Sequence, residues 1–236
     1  MIELKSGLVS IAVYFVICAS LALLLKLIFG VKGEIFRKIL HFILLGSLPV
    51  FVFSFNTWWI AALTSLLFAL IVWPILKMAE HLKAYSRLLE ERRGGEIKNS
   101  LLLVFGMFAL VIAVCWGAIG DRWLVIASVY AWGFGDAAAA LVGKKYGQHH
   151  IKGHFVDGHK SLEGSLAMFG VSFVTVFAIL LLRGGMELWS CIVCAVAAAA
   201  VSAQVELCSP GGYDTISCPV AAMIVLLPMV YITGGL

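Results

Sequence analysis

The sequence predicts an all-α polytopic integral membrane protein with about eight transmembrane helices and no soluble domain. Of its 236 residues, 62% are hydrophobic and 13% are charged, and the mean hydropathy is +1.04. An ordinary soluble domain is roughly half apolar and about a quarter charged, so that class is excluded. We expect residues 1–236 to form one membrane-embedded domain.

The eight helices are predicted from eight apolar runs. A membrane-spanning helix needs about 20 mostly apolar residues, and windows of about 19 residues give runs at 8–29, 39–55, 58–76, 101–118, 123–142, 162–182, 188–205 and 218–232. The first run is longer than the apolar core of a signal peptide and further runs follow it, so we expect it to be retained. The second, fourth and eighth runs are short and the turn at Asn56 and Thr57 is tight, so seven spans with a re-entrant pair are the alternative.

The distribution of basic residues predicts the orientation. With both termini outside, the predicted outer side holds three basic residues, Lys5, Arg122 and Arg183. The predicted inner loops hold 13 of the 17 Lys and Arg residues: Lys32, Arg37, Lys38, Lys77, Lys83, Arg87, Arg92, Arg93, Lys98, Lys144, Lys145, Lys152 and Lys160. Basic residues are retained on the cytoplasmic side, so the predicted topology is N-out and C-out in the cytoplasmic membrane. The long loop 77–100 is either a solvated, partly helical hairpin or a basic rim that draws anionic substrate or lipid toward the inner surface.

Asp136 is the first candidate functional residue. It lies about six residues, or about 9 Å, inside the predicted inner end of the fifth helix, where an unpaired carboxylate is costly. Gly135, Ala139 and Gly143 recur every four residues and leave a bare stripe for close helix packing. Asp136 and Lys144 share the adjacent stripe, roughly 12 Å apart, a distance that a metal-bound polyphosphate can span. The alternative is a carboxylate that serves helix packing alone.

The start of the sixth helix resembles an anion site. Ser161 is placed to cap this helix, and the free N–H groups of its first turn, together with Lys160, suit a phosphate. Glu163 is either an ordinary first-turn acid or a Mg²⁺ ligand. The preceding loop contains His149, His150, His154, Asp157 and His159, which form either a transition-metal site or a hydrated basic loop.

A further pair of acids, Glu206 and Asp214, flanks an inner loop without Lys or Arg. That exception to the basic inner side suggests a cation-binding role, and the alternative is a plain Gly-Pro turn with a solvated acid.

These motifs together resemble a known family. Residues 135–147 (GDAAAALVGKKYG) and 160–165 (KSLEGS) look like the signature of the CTP-dependent lipid kinases: dolichol kinase, phytol kinase and the yeast-type diacylglycerol kinase. Residues 37–41 (RKILH) and 212–219 (GYDTISCP) resemble two further elements of that group, although Thr215 stands where Asn is usual. The central motif is also similar to part of the phosphatidate cytidylyltransferases, whose late His-Gly-Gly-x-x-Asp-Arg-x-Asp run this chain lacks.

The resemblance implies catalytic motifs at 133–165 and 204–219 and a site that faces the cytoplasm. CTP would bind near Gly135, Lys144, Lys145, Lys160, Ser161 and Gly164. Mg²⁺ or Mn²⁺ would be held by Asp136, Glu163, Glu206 and Asp214. Arg37, Lys38 and His41 would receive the lipid, with His41 as the group that orients or deprotonates its hydroxyl. The alternative for His41 is a histidine that serves helix packing alone. Asp136, Lys160, Glu163 and His41 are therefore the expected catalytic residues.

The expected reaction is phosphorylation of a membrane lipid alcohol of the polyprenol, phytol or diacylglycerol type. The alternative within the same superfamily is transfer of CMP to a lipid phosphate, which gives a CDP-lipid. A more remote alternative is a cation-coupled transporter, which the clustering of polar residues at one face disfavours. We expect no nucleic-acid partner, and the oligomeric state stays open.

Overall fold

The structure, a computed structural model, describes residues 2–31, 33–81, 96–151, 160–209 and 212–235. Their backbone forms eight long helices: α1 Ile2–Phe29, α2 Gly33–Phe53, α3 Trp58–Ala79, α4 Glu96–Val111, α5 Arg122–Tyr146, α6 Leu162–Arg183, α7 Leu188–Cys208 and α8 Asp214–Ile232. The helix α4 continues as a π-helix over Ile112–Ala118. The one extended pairing among the described residues is an antiparallel bridge between His150 and Ser161.

All eight helices are long and apolar enough to cross a membrane. The predicted class, an all-α polytopic integral membrane protein, is confirmed. The short second run belongs to a helix of 21 residues and the third to a helix of 22 residues, so both reach the length that a span requires. The eight-helix prediction is therefore confirmed by helix length and composition.

Most helices extend beyond the predicted apolar runs. The structure starts α1 at Ile2, α2 at Gly33, α4 at Glu96 and α8 at Asp214, each four to six residues before the predicted start. An apolar window ends at the first polar residues, whereas the helical backbone continues through them because its hydrogen bonds do not depend on side-chain polarity. Asp214 therefore lies in the first turn of α8, whereas the sequence analysis predicted it in a loop.

Two compact units are distinguished by their internal contacts, Met1–Ala113 and Val114–Leu236. The single membrane-embedded domain stays a prediction. In the first unit, Glu3 of α1 accepts hydrogen bonds from the backbone N–H groups of Asn56 (2.8 Å) and Thr57 (2.9 Å). The carboxylate thereby satisfies N–H groups at the start of α3 that lack helical partners. At the other end of α3, Glu80 pairs with Lys98 of α4 at 2.6 Å.

The second unit is built on close contact between α5 and α6. A Cβ atom placed on Gly164 would lie 3.1 Å from the carbonyl oxygen of Ala139 and 3.4 Å from the Cα of Gly143. Deeper in the same contact, the Ser172 hydroxyl donates to the Ala131 carbonyl at 2.5 Å. Lipid is as apolar as the side chains, so small residues that let backbones approach are a main source of helix association in membranes. The predicted packing role of the small-residue stripe is confirmed.

A half-buried ion pair links three segments at the far end of this unit. Asp121 accepts hydrogen bonds from the backbone N–H groups of Trp123 (2.8 Å) and Leu124 (3.2 Å), which caps α5. Its other oxygen lies 2.5 Å from Nε of Arg183 at the end of α6. The Arg183 guanidinium also donates to the carbonyl of Gly235, after α8. One arginine thus joins the ends of three segments.

Candidate functional site

The centre of the candidate site is a contact between Lys160 and Glu206. The Lys160 ammonium lies 2.5 Å from Oε1 of Glu206 and also donates to the Glu206 main-chain carbonyl. Lys160 lies two residues before α6, next to its N-cap Ser161, whereas Glu206 lies in the last turn of α7. A cation at a helix C-terminus is stabilised by the negative end of the helix dipole, so both the carboxylate and the backbone favour this position.

Both partners are largely withdrawn from solvent. The side chains of Lys160 and Glu206 are 19% and 9% exposed. Removal of one member of such a pair leaves the other charge buried without compensation. The two charged residues therefore depend on each other as one ion pair.

Asp214, in the first turn of α8, lies near enough to this ion pair to interact with the charge of Lys160. The turn before it is made by Gly212, whose φ of 90° is a conformation that side-chain-bearing residues rarely adopt. The start of α8 is tied to the end of α7 by a 2.7 Å hydrogen bond between the hydroxyls of Ser209 and Ser217. On the α5 side, the Trp132 indole N–H donates to the Asp214 carboxylate at 3.5 Å.

Electrostatic interactions connect these groups with Asp136. The charges of Asp136 and Lys160 act on Asp214, and those of Lys160, Asp136 and Asp214 act on Glu206. We call Asp136, Lys160, Glu206 and Asp214 the Lys160 cluster. Its members come from α5, from the segment just before α6, from α7 and from α8, so the fold brings together residues that are separate in the sequence.

The small residues beside the cluster serve the helix contact. The Ser161 hydroxyl accepts the backbone N–H of Gly164 at 3.2 Å, which confirms the predicted cap of α6. A Cβ atom on Gly143 would lie 3.3 Å from that hydroxyl, and one on Gly147 would lie 2.8 Å from it. Gly135 is buried, and a Cβ atom there would collide with Ser172 and Met168. The predicted nucleotide-binding roles of these residues stay predictions.

Glu163 makes a separate set of contacts. Its Oε1 lies 2.7 Å from Nδ1 of His149, and its carboxylate accepts the His149 backbone N–H at 3.3 Å. The backbones of residues 149–151 and 160–162 are hydrogen-bonded at this point, from Ile151 N–H to the Lys160 carbonyl and from Leu162 N–H to the His149 carbonyl. The structure therefore gives Glu163 a role in holding the start of α6, and its metal-binding role stays a prediction.

The remaining candidates lie at the end of α5 and on α2. Lys144 and Lys145 are exposed in the last turn of α5, and the Lys145 ammonium lies 4.9 Å from the ring centre of Tyr146. Arg37, Lys38 and His41 are half-buried on α2 of the first unit, where the His41 ring stands 5.9 Å from that of Phe42. Their predicted lipid-binding role stays a prediction.

Some predicted features lie outside the described residues. They are the histidine-loop residues His154, Asp157 and His159, and the basic residues Lys32, Lys83, Arg87, Arg92, Arg93 and Lys152. Trp132 was missed by the sequence reasoning, although a signal exists. It stands four residues before Asp136, which places both on one face of α5.

The donor chemistry of the cluster suits a hard divalent cation. Mg²⁺ is commonly held by one or two protein carboxylates and completed by phosphate oxygens and water, and Asp136 and Asp214 offer such carboxylates. Within the described part of the chain, no three His, Cys, Asp or Glu side chains group closely enough to hold a metal ion by themselves. A metal at this position would therefore take part of its coordination from a ligand.

When the chain is compared with known proteins, no family model matches it, and neither a curated protein nor a solved structure does.

Proposed function

We propose that this protein is a CTP-dependent lipid kinase, which phosphorylates a membrane lipid alcohol at the cytoplasmic face. The supporting observation is the Lys160 cluster, in which Lys160 contacts Glu206 and the charges of Asp136, Glu206 and Asp214 interact at one end of the second unit. Asp136, Lys160 and Asp214 belong to the motifs that resemble the CTP-dependent lipid kinases. A lysine beside paired carboxylates suits a substrate that combines phosphate with Mg²⁺.

In the proposed reaction the lipid hydroxyl oxygen attacks the γ-phosphorus of CTP. The new bond joins that oxygen to the γ-phosphorus, the bond from the γ-phosphorus to the β,γ-bridging oxygen breaks, and CDP leaves. The hydroxyl proton passes to a base or to water. Phosphoryl transfer depends mainly on positioning and charge stabilisation, which is the role we give to Lys160.

Asp136 and Asp214 are the residues that we propose as holders of Mg²⁺ or Mn²⁺. The bound metal would neutralise charge on the nucleotide phosphates. Lys144 and Lys145, exposed just over two turns beyond Asp136 along α5, supply further positive charge for the polyphosphate.

The orientation is part of the proposal. Lys144, Lys145 and Lys160 lie at the same end of the second unit as the cluster, and Arg183 lies at the opposite end of α6. The excess of basic residues in the loops at the cluster end favours the cytoplasmic side for this end. A cytoplasmic site gives access to CTP from the aqueous phase, and the acceptor lipid arrives through the bilayer.

The test is to incubate the purified protein with Mg²⁺, a total lipid extract and CTP labelled at either the α or the γ phosphorus. Label that enters the organic phase from the γ position supports the kinase, and the labelled lipid identifies the acceptor alcohol. Label from the α position indicates transfer of CMP to a lipid phosphate and overturns the kinase proposal. If neither label is transferred, the proposal is wrong for CTP, and ATP and then cation transport are measured with the same preparation.

A further inference from the structure

We infer that Glu206 is a positioning residue for Lys160, which it holds with one N–H left for a phosphate oxygen of the nucleotide. This inference rests on the proposed function, because it assigns the phosphate-binding lysine a partner that fixes it. It gives Glu206 a task different from direct coordination of a metal ion.

The first argument is the number of acceptors that Glu206 supplies. Its carboxylate and its own main-chain carbonyl both accept hydrogen bonds from the Lys160 ammonium. The carbonyl is one of the last four of α7, which have no partner further along the helix, and the backbone N–H of Ser209 reaches it only at 3.3 Å. Two acceptors from one residue fix both the position and the rotation of the ammonium.

The second argument is the number of donors on Lys160. A lysine ammonium has three N–H groups, and Glu206 takes two of them. Among the residues that the structure describes, Lys160 has no other hydrogen-bond acceptor. Within that part of the chain its third donor has no protein acceptor, and the side chain, 19% exposed, is reachable by a ligand.

The third argument is the mobility that Lys160 would otherwise have. A lysine carries its charge on a flexible four-carbon stem, and loss of its rotamer freedom opposes binding. Glu206 lies at a helix end and is buried, with 7% of the whole residue exposed, so it holds the ammonium in place. A lysine that is already fixed binds phosphate with less loss of freedom than a mobile one.

The test is a double-mutant cycle with Glu206→Gln and Lys160→Ala in the full-length protein in detergent. The probe is inorganic tripolyphosphate with Mg²⁺, and its binding is measured by titration calorimetry. We expect Glu206→Gln to weaken binding about tenfold, because it removes a charge-assisted contact that fixes the lysine. In the Lys160→Ala background the same change should have no further effect, because a residue that acts through Lys160 loses its influence with it.

The control is Glu187→Gln, which makes the same chemical change at the exposed opposite end of α7, and it should bind as the wild type does. Should Glu206→Gln fail to fold, Glu206→Asp keeps the charge but withdraws it by one methylene, and a loss of about threefold is expected. Unchanged binding in either folded variant, additive losses in the cycle, or no tripolyphosphate binding by the wild type would each overturn the inference.

Two kinetic readouts separate positioning from metal coordination. For a positioning residue, Glu206→Gln raises the KM for CTP, while the Mg²⁺ concentration for half-maximal rate at saturating CTP stays within about twofold. A shift of the Mg²⁺ requirement with an unchanged KM would instead make Glu206 a metal ligand. Failure of the proposed function looks different: the wild type binds tripolyphosphate through Lys160 and Glu206 but transfers no label from CTP.

Discussion

Arg183 and Asp121 form an ion pair, Nε to Oδ2 at 2.5 Å, at the end of the second unit opposite the Lys160 cluster. The side chains are 11% and 9% exposed, so the two charges are compensated mainly by each other and by their backbone partners. The pair links the end of α6 to the start of α5, and the Arg183 contact to Gly235 adds the chain after α8. The described part of the second unit therefore has ion pairs at both ends, and under our proposal the Arg183–Asp121 pair and the Lys160–Glu206 pair serve different purposes.

The ion pair between Arg183 and Asp121 should stabilise the folded protein. Arg183→Met leaves Asp121 buried without its partner, and we expect a loss of about 3–5 kcal/mol in the free energy of unfolding, measured by denaturant titration in mild detergent. Asp121→Ala should cost about 1 kcal/mol more than Asp121→Asn, because asparagine keeps an acceptor for the cap of α5. Equal stability of Arg183→Met and the surface control Lys5→Met would contradict the assignment.

The contact of α5 with α6 should tolerate no added methyl group at its closest point. Gly164→Ala places Cβ 3.1 Å from the backbone oxygen of Ala139, so the helices must separate and the thermal unfolding temperature should fall. Gly170→Ala, on the same helix with no atom within 4 Å of its Cβ, is the matched control. Its temperature should stay the same or rise, because alanine favours a helix by up to about 1 kcal/mol over glycine. A fall of the unfolding temperature by the same amount in both variants would contradict this prediction, because alanine would then perturb α6 itself and not its contact with α5.

Asp136 should be essential for turnover and dispensable for folding. Asp136→Asn keeps the size of the side chain but removes the charge that we propose holds the metal, so we expect the rate of γ-phosphate transfer to fall by at least about a hundredfold. The elution volume and the unfolding temperature should match those of the Glu187→Gln control. Activity close to that of the wild type would remove Asp136 from the proposed metal site.

The orientation can be read from cysteine accessibility. Cys208 is the exposed member of the six cysteines and ends α7 on the side of the Lys160 cluster. A membrane-impermeant maleimide should label it in inverted vesicles and not in right-side-out vesicles. Cys208→Ser should abolish this labelling, and Glu187→Cys in that background should be labelled only in right-side-out vesicles. The reverse pattern would put the cluster on the outside.

Local composition was enough to predict the helices of this protein. Apolar length predicted eight spans, the spacing of Gly135, Ala139 and Gly143 predicted a close helix contact, and the position of Ser161 predicted its cap; all three are confirmed. Each depends on neighbours within a few turns of one helix, which the sequence contains directly.

Contacts between distant parts of the chain could not be predicted in the same way. Lys160 and Glu206 are 46 positions apart, and the sequence analysis assigned Glu206 to a cation site without pairing it with Lys160. Helix order in the membrane decides between them, and it depends on the packing of whole helices. Glu3 is a similar case, because nothing in its own segment indicates that it caps a helix 54 positions away.

The backbone segments 149–151 and 160–162, between α5 and α6, are hydrogen-bonded to each other, and this pairing has a practical consequence. The Ile151 N–H donates to the Lys160 carbonyl at 3.0 Å, so residues 151 and 160 lie side by side. Extra residues inserted between two such positions cost mainly loop-closure entropy, about 0.6 kcal/mol for each doubling of the loop length. A fluorescent domain or an affinity sequence inserted between residues 151 and 160 would stretch neither helix, and it would supply a reporter next to Lys160.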